Sequence, residues 1–209
     1  MNALKKQSHQ EFAAWAASYD RSILQRLLFA PSHRRIIEEI GDVAEARILD
    51  IGCGTCRLAH RLAAGPPQAR VFAVDLCESM IRAAHHHVIA HDRIHRAVAD
   101  SEHLPFLAGS FDVVTCSNSF HHYPNQQAAV REMHRVLAPG GRLILTDGFR
   151  DNWFGYFIYD VAVARVEGGQ VHHASAAEFR RLLETAGFRD LRQSTVGFPA
   201  PFILTVGVA

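Results

Sequence analysis

Three apolar stretches of this chain each end in aspartate, at residues 46–50 (ARILD), 71–75 (VFAVD) and 96–100 (RAVAD), so that Asp50, Asp75 and Asp100 follow one another at twenty-five residues. That interval holds a strand, a helix and two loops. Near-continuous apolar strands separated by helical segments predict βαβ units, whose parallel strands are covered on both faces. Two more strands are expected at Phe111–Ser117 and 142–147. Between them, Val130, Met133 and Leu137 recur at helical spacing over 127–137, and Pro139-Gly140-Gly141 stops that helix.

The last helix is delimited by its ends. Ser175 caps it, Glu178 completes a capping box, and Gly187 stands where a C-terminal glycine belongs. Its apolar face is Phe179, Leu182, Leu183 and Ala186. Strands at about 188–196 and 201–208 close the chain, joined by too few residues (around Gly197-Phe198-Pro199) for a parallel crossover. The final strand is therefore expected to run antiparallel, in a sheet of seven. Two segments fall outside this core. Residues 1–30 read as an amphipathic helical cap bearing Phe12, Trp15 and Tyr19. Residues 148–174 form an insertion dense in aromatics, with Phe149, Trp153, Phe154, Tyr156, Phe157 and Tyr159. It follows the C-terminal end of a strand, the edge at which open α/β sheets bind ligands.

Length and charge exclude other classes. The 209 residues suit one domain, which at this size buries roughly 70% of its unfolded surface without staples. Lys plus Arg number 22 against 21 Asp plus Glu, a net charge of +1 that lacks the footprint of a nucleic-acid binder. No apolar run reaches a membrane span; residues 196–209 are interrupted by Pro199 and Pro201 and read as a buried strand. The N-terminus has two lysines but no apolar core behind them, unlike a signal peptide. Four cysteines in such a chain point to free thiols, a reducing compartment and a cytoplasmic location.

Residues 48–56 (ILDIGCGTC) read as a strand running into a glycine turn that opens a helix. The glycines permit a tight turn and close approach of a ligand to the backbone. The spacing departs from the dinucleotide fingerprint, which requires glycine where this chain has Arg57; that disfavours a nicotinamide-dependent oxidoreductase. Asp75 stands where an acid accepts hydrogen bonds from both ribose hydroxyls, and Asp100 at the same edge can accept from an exocyclic amine.

On these residues the chain resembles the class I S-adenosylmethionine-dependent methyltransferases, over roughly residues 31–209. LDIGCGTC is similar to their first motif (Asp50, Gly52, Cys53, Gly54). VFAVDLCESM is similar to the second, with Asp75 as ribose ligand and Leu76 and Met80 beside the adenine. VADSEHLPF matches the segment where Asp100 meets the adenine amine and Ser101 lies close. FDVVTCSNSFHHYPN, with Ser117, and RVLAPGGRLILTDG match the fourth- and fifth-strand motifs. The nearest branch includes the ubiquinone and menaquinone methyltransferases, whose cap FAAWAASYDRS resembles, with Tyr19 near the cofactor. The resemblance implies a Rossmann-like, doubly wound sheet of seven mostly parallel strands with the last antiparallel, plus the cap. It further implies S-adenosyl-L-methionine as cofactor, a small-molecule acceptor, no nucleic acid, no stable membrane insertion, and a monomer or homodimer. The family usually has a third glycine where Cys56 stands; a thiol there is expected to crowd the methionine end of the cofactor. Cys53 and Cys56 also spell C-G-T-C, a redox spacing, but the preferred reading is two small residues packed in a turn.

Methyl transfer from a sulfonium requires in-line alignment, exclusion of water and, for some acceptors, removal of a proton. Tyr19, Phe120 and Tyr123 offer aromatic faces to a cationic sulfonium. His121 and His122 are the first candidates for a base, His172 and His173 the second; a role for the first pair in shaping the cofactor pocket stands beside the catalytic one. His87, His91 and His95 share a four-residue spacing and His85 and His86 crowd them, but no cysteine or carboxylate pattern completes a site, so no metal is expected. A non-catalytic cofactor-binding protein is the alternative, and Cys56 is its support.

Overall fold

The computed structural model describes residues 3–16, 19–21, 29–43, 45–65, 69–84, 92–148, 151, 173–196 and 201–209. In chain order they form α1 (Ala3–Trp15), a 3-10 turn (Tyr19–Arg21), α2 (Ala30–Ile40), β1 (Arg47–Ile51), α3 (Arg57–Ala63), β2 (Arg70–Asp75) and α4 (Glu78–Ala83). There follow β3 (Ile94–Val98), β4 (Phe111–Ser117), a second 3-10 turn (Phe120–His122), α5 (Gln126–Val136), β5 (Leu137–Gly148), α6 (Ala176–Ala186), β6 (Arg189–Val196) and β7 (Phe202–Val208).

The seven strands lie in the order β3-β2-β1-β4-β5-β7-β6. β7 runs antiparallel to both its neighbours, as the short connection after residue 196 demands. The chain winds outward from β1 in one direction and returns at β4 to wind in the other. The C-terminal ends of β1 and β4 therefore flank a switch point, where a crevice opens in this kind of sheet.

Strand alternation divides the core into two layers. Ile48 and Val113 face Ile36 of α2 and Leu58 and Leu62 of α3. Leu49, Val114 and Cys116 face Met133 of α5 and Phe179 and Leu183 of α6. At roughly 1.5–3 kcal/mol for each fully buried large apolar side chain, these two layers dominate the stability of the sheet. The ends of α6 match expectation: Glu178 N donates to Ser175 Oγ, Ser175 N donates to the Glu178 carboxylate, and Gly187 takes φ +104°.

Two local expectations change. Helix α5 ends at Val136, and Leu137 instead opens β5, paired with Phe111; the strand thus starts five residues before the predicted position 142. Leu137 is buried in either state, so its spacing alone could not choose. A Cβ at Gly141 would lie 2.8 Å from Ala138 O and 3.2 Å from Asp112 O, so the strand can bend past its neighbour only with glycine there. His95 lies on β3 with its ring 4.8 Å from that of Phe72, which breaks the supposed helical row. His85, His86, His87, His91 and His172, and the aromatics of the insertion, lie outside the described residues.

The three acids form a staircase and not a level row. Parallel register pairs Arg47 with Arg70 and Val71 with Ile94, twenty-three residues apart, whereas the acids are twenty-five apart. Each acid therefore stands two residues further toward the C-terminal edge than the one before it. Asp50 lies within its strand, Asp75 ends its strand, and Asp100 lies beyond one.

Candidate active site

A pocket opens at the switch point, and every residue with an expected cofactor role lines it: Tyr19, Asp50, Gly52, Cys53, Gly54, Asp75, Leu76, Met80, Asp100, Ser101 and Ser117. Its floor is the turn after β1. Gly52 N and Cys53 N both donate to Val74 O, at 2.9 and 3.0 Å, which folds the turn back over β2. Gly52 takes φ +67°, and a Cβ on it would meet Ser119 Oγ at 2.3 Å and Tyr123 Oη at 2.7 Å. Its glycine thus permits close approach of the β4 loop, whereas the nearest atom to a Cβ on Gly54 is Tyr19 Cε1 at 3.7 Å, leaving room for a ligand.

Each acid has a distinct environment. Asp75 accepts from Gly54 N and Cys77 N, both at 2.8 Å, one on each carboxylate oxygen. Burial raises its pKa, partly offset by those two backbone bonds. Asp50 is fully buried and lies in register with Thr115, whose hydroxyl donates to its Oδ1 at 2.9 Å. Its Oδ2 accepts no hydrogen bond among the described residues. Burial pushes the Asp50 pKa up to about 7, the Thr115 bond opposing and the charge of Asp75 adding to the rise. Asp100 accepts from Glu102 N at 3.0 Å and from Lys5 Nζ at 2.6 Å, and Lys5 also pairs with Glu102 at 2.8 Å. Burial works against the Asp100 charge, but Lys5 holds its pKa below the usual range.

Helix α1 and the turn after it complete the walls. Lys5, His9 and Phe12 line the pocket from α1, and Thr55 Oγ1 donates to Asp20 Oδ1 at 2.7 Å, tying the glycine turn to the 3-10 turn. The Tyr19 and Phe29 rings stack at 6.0 Å, and Phe12 meets His122 edge-on at 4.9 Å. Lys5 was not legible as a site residue, since a lysine near an N-terminus carries no local signal.

The two adjacent histidines part ways. His122 lines the pocket; His121 is buried behind it and does not. His121 N donates to Asp147 Oδ2 at 2.9 Å, and His121 Nδ1 lies 2.5 Å from Asp147 Oδ1. The His173 ring stacks on that of His121 at 4.4 Å. These three residues bring metal-capable atoms within 4.8 Å of one another. A 2.5 Å contact is nevertheless a hydrogen-bond distance, and both Asp147 oxygens already accept N–H groups, so His121 and Asp147 are a hydrogen-bonded pair with the His173 ring stacked on it. Asp147 carries the same signal in the sequence as Asp50, Asp75 and Asp100, an acid at the end of an apolar stretch, though that stretch marks it only as a strand end.

Two expectations are corrected. Phe120 is fully buried in the core against Phe179, with ring centroids 5.5 Å apart, and offers no face to the pocket; Tyr19 and Tyr123 do. Cys56 does not crowd the pocket. It occupies the left-handed region (φ +60°, ψ +25°), and its fully buried thiol turns toward Cys53.

Comparison with known proteins fits this geometry. A family model described as a methyltransferase domain matches residues 49–145. The chain is 33% identical over 198 residues to a malonyl-[acyl-carrier protein] O-methyltransferase of Geobacter sulfurreducens, covering 90% of this chain and 72% of that one. It is also 33% identical over 208 residues to a demethylmenaquinone methyltransferase of Thermus thermophilus, covering 95% and 89%. In fold it resembles a SAM-dependent methyltransferase from Thermotoga maritima, with a TM-score of 0.77 at 21% identity over 95% of this chain and 98% of that one. The pocket chemistry suits the same cofactor: an orphaned buried carboxylate oxygen for a cationic group, and two further acids at the edge for hydroxyl and amine donors. With two relatives one-third identical across nine-tenths of its length, the chain belongs to the class I S-adenosylmethionine-dependent methyltransferases.

Proposed function

We propose that this enzyme methylates a small, apolar or aromatic molecule, with Asp75 accepting the cofactor's ribose hydroxyls, Asp100 its adenine amine and Asp50 facing its cationic methionine end. S-adenosylmethionine, when bound, supplies a methyl group on an electrophilic sulfonium. The chain's own part is to hold, align and exclude water. Phe12, Tyr19, Phe29 and Tyr123 around the pocket are the observation that carries the choice of acceptor. A quinone-type acceptor, such as the name of the Thermus thermophilus relative mentions, fits such a wall. On this reading residues 1–30 are a cap on a methyltransferase domain spanning 31–209, with 148–174 as an insertion in it. The support for a non-catalytic reading weakens, because Cys56 is turned away from the pocket. Among the described residues no helix is long and apolar enough to cross a membrane. A panel of quinols, phenols and acyl thioesters, read by release of demethylated cofactor, tests the acceptor class; turnover confined to nucleic acid would overturn it.

Asp50 makes cofactor binding depend on pH. With its pKa near 7 in the free protein, the carboxyl is protonated below that value, and a cationic ligand must displace the proton. Affinity should therefore rise as pH increases toward 7, by up to about tenfold per pH unit, and level off above. Calorimetry at pH 5.5, 6.5 and 7.5 should show this slope, and Asp50→Asn should flatten it. Equal slopes in both proteins would remove Asp50 from this role.

His122 is read as shaping the pocket, held between Phe12 and the His121 ring at 4.9 and 4.1 Å. His122→Ala should lower cofactor affinity and single-turnover rate together, each by roughly tenfold. A rate loss of about 10²–10⁴-fold at unchanged affinity would assign it instead as a general base.

A further inference from the structure

The turn that cradles the cofactor holds two thiols which methyl transfer does not use. Cys53 Sγ and Cys56 Sγ are 3.5 Å apart, and both cysteines are free. Cys56 N donates to Cys53 O at 2.8 Å, closing a four-residue turn around Gly54. Such a turn holds its end Cα atoms within about 7 Å, and a disulfide needs them about 4.4–6.8 Å apart. Cys56 adopts φ +60°, a left-handed conformation that costs a non-glycine residue energy, and in that conformation its thiol is directed at Cys53. The two sulfurs differ in access: Cys53 is half-buried and lines the pocket, whereas Cys56 is fully buried behind it. Cys77 and Cys116 are differently placed, bonded to His9 O and to Ser119 and Tyr123.

We propose that Cys53 and Cys56 are a dithiol–disulfide pair in the pocket wall, oxidised by small disulfides such as glutathione disulfide when the pocket is open and shielded when S-adenosylmethionine fills it. Cys53, as thiolate, attacks one sulfur of the oxidant, forming a mixed disulfide and releasing one glutathione thiolate. Cys56, as thiolate, then attacks the Cys53 sulfur and expels the second. The protein loses two thiol hydrogens and two electrons, and one glutathione disulfide becomes two glutathione thiols. Burial, together with the neighbouring Cys56 and the Asp75 and Asp50 charges, pushes the Cys53 thiol well above its usual range. Burial penalises the thiolate but not the neutral disulfide, so the exchange is slow near neutral pH and accelerates as pH rises.

The test incubates the reduced protein with glutathione disulfide at pH 7 and pH 8.5, alkylates the remaining thiols and weighs the intact chain. The expected result is a fall from four alkylated cysteines to two, faster at the higher pH, with the link mapped to the peptide holding Cys53 and Cys56. Cys56→Ser should stop at a glutathione adduct on Cys53, and Cys53→Ser should keep all its thiols. Cofactor at a hundred times its dissociation constant leaves about one per cent of pockets open, so it should slow the exchange by roughly 100-fold. Four alkylated thiols throughout, or a link at Cys77 or Cys116, overturns the pair. An unchanged rate in protein that calorimetry shows to bind the cofactor overturns the shielding and leaves the cofactor site intact. Absence of cofactor binding overturns the shielding together with that site, while the thiol count still decides the pair.

Discussion

Replacing Asp147 with alanine is expected to destabilise the fold by about 3–5 kcal/mol, read as a lower denaturant midpoint at an unchanged slope. Asp147 is fully buried and accepts three hydrogen bonds, from His121 N, from His121 Nδ1–H and from Gly148 N. Alanine leaves those donors without their acceptor in a site that water does not reach, and an unmade buried bond costs more than a made one contributes. Burial alone would raise the Asp147 pKa, but the facing charges of His121 and His173 and the His121 bond hold it below the usual carboxylate range. The sign of the pH effect follows. A carboxylate with a depressed folded pKa contributes stability above its unfolded value of about 3.9, and that stability is lost as pH falls through the folded pKa. Asp147→Asn should therefore lose less than the alanine variant at pH 7 and show a flatter stability profile below pH 4. If Asp147→Ala unfolds within about 1 kcal/mol of the parent, the Asp147–His121 pair is not a structural anchor.

Much of this arrangement was legible in the sequence because it follows from periodicity. The twenty-five-residue interval between Asp50, Asp75 and Asp100 encodes both the βαβ repeat and the outward staircase of acids, once the twenty-three-residue register is known. Ser175, Glu178 and Gly187 mark the ends of α6 because caps are local chemistry, satisfied within one turn of chain. What escaped is long-range. His121 and His122 are neighbours in sequence with the same side chain, yet one pairs with Asp147 at the end of β5 and the other faces Phe12 of α1. Lys5 meets Asp100 across ninety-five residues. Nothing local separates such residues from ordinary surface ones; they are sorted only when the sheet brings distant strand ends to one edge. Gly52 shows the same limit, since its requirement for glycine comes from Ser119 and Tyr123 in a loop after another strand.

The variant that bears most directly on the cofactor is Asp75→Ala, which should weaken binding of S-adenosylmethionine and of its demethylated product alike by about 1.5–3 kcal/mol, or roughly 10- to 150-fold. Both share the ribose, so a loss at the ribose acceptor cannot discriminate between them, whereas a loss at Asp50 should fall more heavily on the cationic form. Asp75 has two duties. Each Asp75 oxygen also accepts a backbone N–H, from Gly54 and from Cys77, and so holds the glycine turn against α4. Asp75→Asn keeps the shape but turns an amide N–H toward one of those backbone N–H groups, so it too should disturb the turn. Asp75→Ala leaves both N–H groups beside an open pocket that water enters, which makes it the cleaner probe of the ligand contact. Thermal unfolding without cofactor reports damage to the turn, and calorimetry with cofactor reports the lost acceptor. Affinity equal to that of the parent would remove Asp75 from ribose recognition, and an equal shift in both measurements would reduce its role to holding the turn.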